Sequence, residues 1–242
     1  MQEFNFTRFN SKDPLNKLFD TDGKKNSRGQ MYEGNAIKES VHSIEEFFKY
    51  LDELKLNQAI GLGICKHDIT SITTKANESS SAIARSKEHF SFIGNAFLLA
   101  DCDPSPSGFE IESPEHFVEV LRDIDPELIH CDIGVRYSSS YGIKKDGVLL
   151  STKKSMHAYI PICNASNEKV EEYRQFLIAE AWKKGYGHIQ LSSSGAMLRR
   201  QVFDDAVFSP ERLVFEAKPT LAEGITRMPT DHYISKGTDY ES

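Results

Sequence analysis

No run of 18 or more apolar residues occurs in this 242-residue chain, so no membrane-spanning helix is expected. The opening stretch, MQEFNFTRFNSKDP, lacks a basic segment followed by an apolar one, so no secretory signal is expected either. Cysteine is scarce: Cys65, Cys102, Cys131 and Cys163 are widely spaced and form no CxxC pair. That spacing argues against a zinc ribbon or a disulfide framework and fits a reducing, cytoplasmic setting. Each cysteine lies in an apolar, strand-like segment, which reads as a small core residue. Positive charge is in deficit, with 29 Lys and Arg against 36 Asp and Glu and a net charge of −7. A pure nucleic-acid binder is usually basic. The deficit leaves room for an enzyme that gathers a few cations around one groove and a carboxylate cluster around a metal. The only dinucleotide-like glycine pattern, Gly61-Leu62-Gly63, lacks the third glycine and the helix that such a fingerprint needs.

What the chain does contain is the composition of a globular protein, 39% hydrophobic, 27% charged and 10% aromatic, sufficient for one domain or two closely fused modules. A first strand is expected over Phe4 to Phe9. Ser43 and Glu46 form a capping box ahead of Ile44, Phe47, Phe48, Leu51 and Leu54, which recur at helical spacing. Residues 58–65 read as a buried strand, and 68–88 as a loop or a weak helix near 80–90. From about residue 92 strands and helices alternate. Residues 97–103 (FLLADCD) form a strand ending in acid. Ser113-Pro114 opens a second helix with Phe117, Val120, Leu121 and Ile124 facing its core. Strands follow at 131–141 and 155–162, with a turn at Asp146-Gly147 between them. Ser166 caps a third helix carrying Val170, Tyr173, Phe176, Leu177, Ala181 and Trp182, which stops at Gly185. Strands at 188–192, 197–204 and 212–217 complete a β-α-β-β-α-β order, the ferredoxin-like or RNA-recognition-type arrangement with helices on one face. Such a fold hosts many functions and names none.

Three places carry chemistry. Asp101 and Asp103 are two apart on a strand, so they share a face. Two carboxylates there suit Mg²⁺ or Mn²⁺, or else mark the exit into the polar turn DPSPSG. In the strand beginning Ser155-Met156-His157, alternation puts Met156, Ala158, Ile160 and Ile162 under the helices and Ser155, His157 and Tyr159 on the other face. With Lys153 and Lys154 leading in, that face supplies the charge and donors a triphosphate needs, or it is the solvated side of an antiparallel sheet. Asp204 ends a further apolar strand, either as a third carboxylate for a two-metal site or as part of an Asp-Asp turn. Asp205 points the other way. Arg212 contacts phosphate or pairs with an acid such as Glu211 or Glu216. Arg199 and Arg200 touch template phosphate or form a solvated face. The serine triplets at 138–140 and 192–194 line a polar groove or are plain loop. Tyr137 and Tyr141 stack on a base or sugar, or pack at a strand edge.

Acid-x-acid, then Ser-x-His on a later strand with Lys153 two residues before Ser155, then Asp204 followed by Val207, Phe208 and Arg212, resembles the three motifs of the archaeo-eukaryotic primase superfamily. The likeness is to its primase-polymerases, including those of plasmids, phages and mobile elements. It covers roughly residues 97–217, with 40–96 matching the family's N-terminal module. It implies an α+β primase-polymerase core: an N-terminal α/β module over 1–95, an RRM-like catalytic module over 96–220, and a polar tail or linker over 221–242. It also implies a DNA primase or polymerase that joins ribo- or deoxynucleoside triphosphates on a single-stranded DNA template. Asp101, Asp103 and Asp204 would be catalytic and hold two Mg²⁺ or Mn²⁺ ions. Lys153, Ser155, His157 and Arg212 would bind the nucleotide, and Lys154 and Arg200 the template. A replicative helicase or a single-strand-binding protein would be its partner. The zinc module that some relatives use in initiation has no counterpart here. There are two other readings: a metal-dependent nuclease or phosphotransferase that uses the same three carboxylates, and a non-catalytic replication-initiation module that binds nucleic acid, in which the carboxylates are incidental.

Overall fold

The computed structural model describes residues 2–27, 29–67, 70–103 and 108–238. Part of the expected DPSPSG turn, the first two residues of the 68–88 segment and the last four of the tail lie outside them. The chain is mixed α+β, with three α-helices among the described residues and several antiparallel sheets. No helix among the described residues is long and apolar enough to cross a membrane.

All three helices begin at serines. Ser43 Oγ accepts from the Glu46 amide at 3.2 Å, and the Glu46 carboxylate reaches back to the His42 amide at 2.7 Å. This starts α1, Ile44–Asp52. Ser113 and Ser166 accept in the same way from the amides of His116 and Lys169 and start α2, Pro114–Ile124, and α3, Asn167–Lys183.

A five-stranded sheet uses the strands Phe4–Ser11 and Gly34–Val41 as its long pair. Gln58–Gly61 adds to one edge, and the short strands Ser71–Thr73 and Ile83–Ala84 add to the other. The segment expected as loop or weak helix over 68–88 is therefore partly strand. Its Ser/Thr-rich composition hides two short runs in which Ile72 and Ile83 are buried in the sheet's core.

The second sheet has the order Ile93–Cys102, Met156–Ser166, Ile133–Tyr137, Tyr233–Ser235, all antiparallel. Its register puts Ala100 opposite Ala158, and Ala158 opposite Val135. These residues and Ile160 are at most 2% exposed and lie against α2 and α3. On the reverse face, Asp101 pairs with His157, His157 with Arg136, and Tyr159 with Gly134. Here α1 inserts between the two sheets. The Phe47 ring stacks on Phe97 at 4.2 Å and meets Phe6 and Tyr159 edge-on, both at 5.1 Å. One apolar cluster thus runs unbroken from the first sheet to the second.

Four expectations need correction. Residues 188–204 do not extend the second sheet as regular strands. They fold as a separate hairpin, Gly187–Leu191 with Met197–Gln201, and only Asp204 bridges back to Asp101. The segment 212–217 makes one bridge, Val214 to Ile60, and is otherwise irregular, because it threads between the two sheets. The stretch after Pro219 supplies strands in place of a linker: Thr220–Leu221 beside Lys17–Phe19, Ile225–Arg227 beside Ile143–Lys145, and Tyr233–Ser235 beside Ile133–Val135. Finally, Phe176 and Cys163 are exposed; Phe176 lies outside the buried face of α3, which consists of Val170, Leu177, Ile178 and Ala181.

Candidate functional site

The reverse face of the second sheet converges on the carboxyl end of Ile93–Cys102. Alternation and register bring Asp101 beside His157, with His157 Nε2 3.5 Å from Asp101 Oδ1. Asp204 arrives from the outer edge, its amide donating to the Asp101 carbonyl at 2.7 Å. Asp103, exposed, continues the Asp101 face. A cavity of about 350 Å³ opens here, lined by Asp101, Asp103, Ser155, His157 and Arg212. Lys17 and Lys25 line it too, although nothing in the local sequence marked them. They come from the short paired strands Lys17–Phe19 and Lys25–Ser27, and the Lys17 ammonium donates to Ser140 Oγ at 3.3 Å. A neighbouring cavity of about 430 Å³ is lined by Asp103, Asp204, Lys153, His188 and Arg200. The template candidate Arg200 thus stands at the carboxylates, held by Gln190 at 3.2 Å. Lys154 does not; its ammonium turns to the Glu112 carbonyl at 2.5 Å.

Glu216 is the residue sequence reasoning misjudged. Expected at most as a partner for Arg212, it is 3% exposed and lies behind His157. One carboxylate oxygen accepts from His157 Nδ1 and, at 2.6 Å, from the Tyr159 hydroxyl; the other lies 3.2 Å from Arg136 Nε. Arg136 is fixed in turn by Asp52 of α1 at 3.0 Å. Burial alone would raise the Glu216 carboxyl, but His157 and Arg136 outweigh it and hold the group ionised, down to about 2. Burial would likewise depress the His157 imidazole, and Glu216 and Asp101 reverse that, so its pKa is raised. With Nδ1 bonded to Glu216, the Nε2 edge of the ring faces the cavity.

The carboxylates are held differently. Burial raises the Asp101 carboxyl, and Asp103 and Asp204 push the same way against His157. Asp101 Oδ1 is buried with no hydrogen-bond partner. Asp204 Oδ1 caps the Ala206 amide at 3.0 Å, while Oδ2 lies 3.7 Å from Arg212 Nη2. Arg212 therefore faces Asp204, and neither Glu211 nor Glu216 is its acid. Asp205 turns towards α3 and pairs with Arg174 at 2.5 Å.

Hard oxygen donors, one of them orphaned in a buried position, fit a divalent cation such as Mg²⁺ or Mn²⁺ in type and placement. Among the described residues no three His, Cys, Asp or Glu side chains are drawn tightly enough together to form a ready ligand cage. Ser138 and Ser140 line the same cavity and bond each other at 2.9 Å. Tyr137 and Tyr141 stack on one another, ring centroids 4.3 Å apart. Comparison of the chain with family models, with curated proteins and with solved structures returns no match.

Proposed function

We propose that this chain is a template-directed nucleotidyltransferase, the catalytic core of a primase-polymerase that joins ribo- or deoxynucleoside triphosphates on single-stranded DNA. The observation that carries the reading is the meeting of three separate sequence motifs at one point. Asp101 pairs with His157 across two strands, and Asp204 bridges to Asp101 from the other edge. The β-α-β-β-α order of the second sheet, with Ile93–Cys102 and Ile133–Tyr137 flanking Met156–Ser166, supports the RRM-like form of that core.

Asp101, Asp103 and Asp204 would hold the divalent ions, which supply charge neutralisation at the phosphates and at the attacking 3′-hydroxyl. His157, whose protonated form Glu216 and Asp101 favour, would present Nε2–H to the triphosphate, with Ser155 as a neighbouring donor. Lys17, Lys25 and Arg212 place three further cations on the cavity wall. Positioning and charge stabilisation are most of what phosphoryl transfer asks of a protein. This concentration of cations beside the acids also favours a triphosphate-consuming enzyme over a nuclease, which has no triphosphate to cradle.

The test is primer synthesis and extension on single-stranded DNA with labelled nucleotides and Mg²⁺ or Mn²⁺. Wild type should incorporate nucleotide, and Asp101→Ala/Asp103→Ala and His157→Ala should not. Absence of product from wild type, with DNA bound equally by all three proteins, would favour the non-catalytic binding module.

A further inference from the structure

A third cavity, of about 280 Å³, lies on the far side of Arg212 and is lined by Arg85, Arg212, Glu211, Ser209 and Gly29. Arg212 lines both this cavity and the one at the carboxylates, so the two meet at its side chain. Arg85 follows the buried edge strand Ile83–Ala84 of the first sheet, which anchors its backbone. Its Nη1 donates to the Glu211 carbonyl at 2.6 Å. Its Nε is buried with no hydrogen-bond partner, and among the described residues Arg85 makes no ion pair within 4.0 Å. A guanidinium is the side chain least able to shed its charge when buried, so an unmet donor there calls for an anion. Burial, and then Arg212, disfavour the charged form of Arg85, and only Glu211 opposes them. Glu211 is the acid that lines the cavity with the two guanidiniums and Arg212 also lies 3.7 Å from Asp204, so the unmet Arg85 Nε is the group left to an anion.

We propose that Arg85 and Arg212 form a subsite for one phosphate group, contributed by the backbone of a nucleic-acid strand or by the tail of a nucleoside triphosphate. The subsite extends the nucleotidyl-transfer reading, on which it rests only for the source of the phosphate. Planar guanidiniums, one following the edge strand Ile83–Ala84 and one from the irregular segment 212–217, would grip one phosphate from two sides, the geometry in which Arg surpasses Lys.

The experiment measures two affinities in wild type, Arg85→Ala and Arg85→Lys. One is binding of a fluorescent single-stranded oligonucleotide across a range of salt concentrations, and the other is binding of a nucleoside triphosphate with Mn²⁺. If the phosphate comes from a strand, Arg85→Ala weakens oligonucleotide binding about 10-fold and flattens the log–log salt slope by about 0.7, while triphosphate affinity stays level. If it comes from the triphosphate, nucleotide affinity falls about 10-fold and the salt slope is unchanged. Arg85→Lys should recover part of whichever loss occurs, and urea unfolding like that of wild type separates lost binding from lost fold. Unchanged affinities for both ligands in a folded Arg85→Ala protein overturn the subsite. An inactive wild type whose oligonucleotide binding still depends on Arg85 would sink the polymerase reading and leave the subsite standing.

Discussion

His157 and Asp101 face each other across one pair of strands, yet the structure treats the two sides in opposite ways. Behind His157 opposite charges alternate: Glu216 bonded to the imidazole and to Tyr159, Arg136 against Glu216, and Asp52 against Arg136. Glu216 Oε2 and Arg136 Nη1 lack hydrogen bonds there, and the ion pair between the two side chains offsets them. At Asp101 like charges gather. Its Oδ1 has no hydrogen bond and lies 3.5 Å from His157 Nε2, Asp103 is exposed, and Asp204 gives one oxygen to a local amide. The first arrangement pairs opposite charges and stabilises the fold; the second crowds acids and strains it. On the proposed function, the remaining partners of these acids would be a metal and a phosphate. The stability lost at the carboxylates is offset a few ångströms away.

The sharpest way to break that contrast is Asp101→Asn. Nucleotide incorporation should fall by more than the roughly 10–100-fold that loss of an outer partner of a metal site costs. Stability by urea denaturation should stay level or rise, because burial, Asp103 and Asp204 all disfavour the charge removed and only part of that is offset by His157. Loss of both would place Asp101 with the structural residues.

Next in size is Glu216→Ala, which takes from His157 and Arg136 the buried acid they share. It should cost about 3–5 kcal/mol by the same measurement.

Stability against pH sharpens the comparison. The Glu216 carboxyl is depressed from 4.5 to about 2, so its contribution is full above the ordinary carboxyl value and is lost as pH falls towards 2. The His157 imidazole is raised above 6.5, so its contribution is full below 6.5 and is lost as pH climbs through the raised value. Wild type should therefore be steadied by this pair between about pH 4.5 and 6.5, and Glu216→Gln should lose the acid limb and keep only the part of the other that Asp101 supports.

The smallest effects belong to the rim. Lys153→Ala and Arg200→Ala, both at exposed positions of the 430 Å³ cavity, should leave stability within about 0.5 kcal/mol. Each should still weaken nucleotide or DNA binding several-fold. A large stability loss at either would remove the distinction between rim and core.

What was legible in the sequence follows the length and period of each signal. Ser43, Ser113 and Ser166 cap their helices as expected, since a cap is a contact over three residues. The faces of Ile93–Cys102 and Met156–Ser166 were readable because strand alternation extends over many residues. Glu216 was not, because it sits in a segment with a single bridge and acts on a residue 59 positions away. Lys17 and Lys25 come from strands of three residues, too short to show a period. The strands at 220–235 are equally short, so a polar composition concealed them.

The run from Thr220 to Ser235 has a consequence for how the molecule assembles. It pairs with three different sheets, and the Asn16 amide next to Lys17 bonds Thr220 at 2.7 Å across 204 positions of chain. Closing a loop of that length costs entropy before any contact rewards it. The wall of cations that faces the carboxylates is therefore among the last parts of the molecule to form. A chain emerging from the ribosome can pack most of its apolar cluster around α1 before the walls of the cavity at the carboxylates are in place, so burial of the core and closure of the cavity are separate events in time.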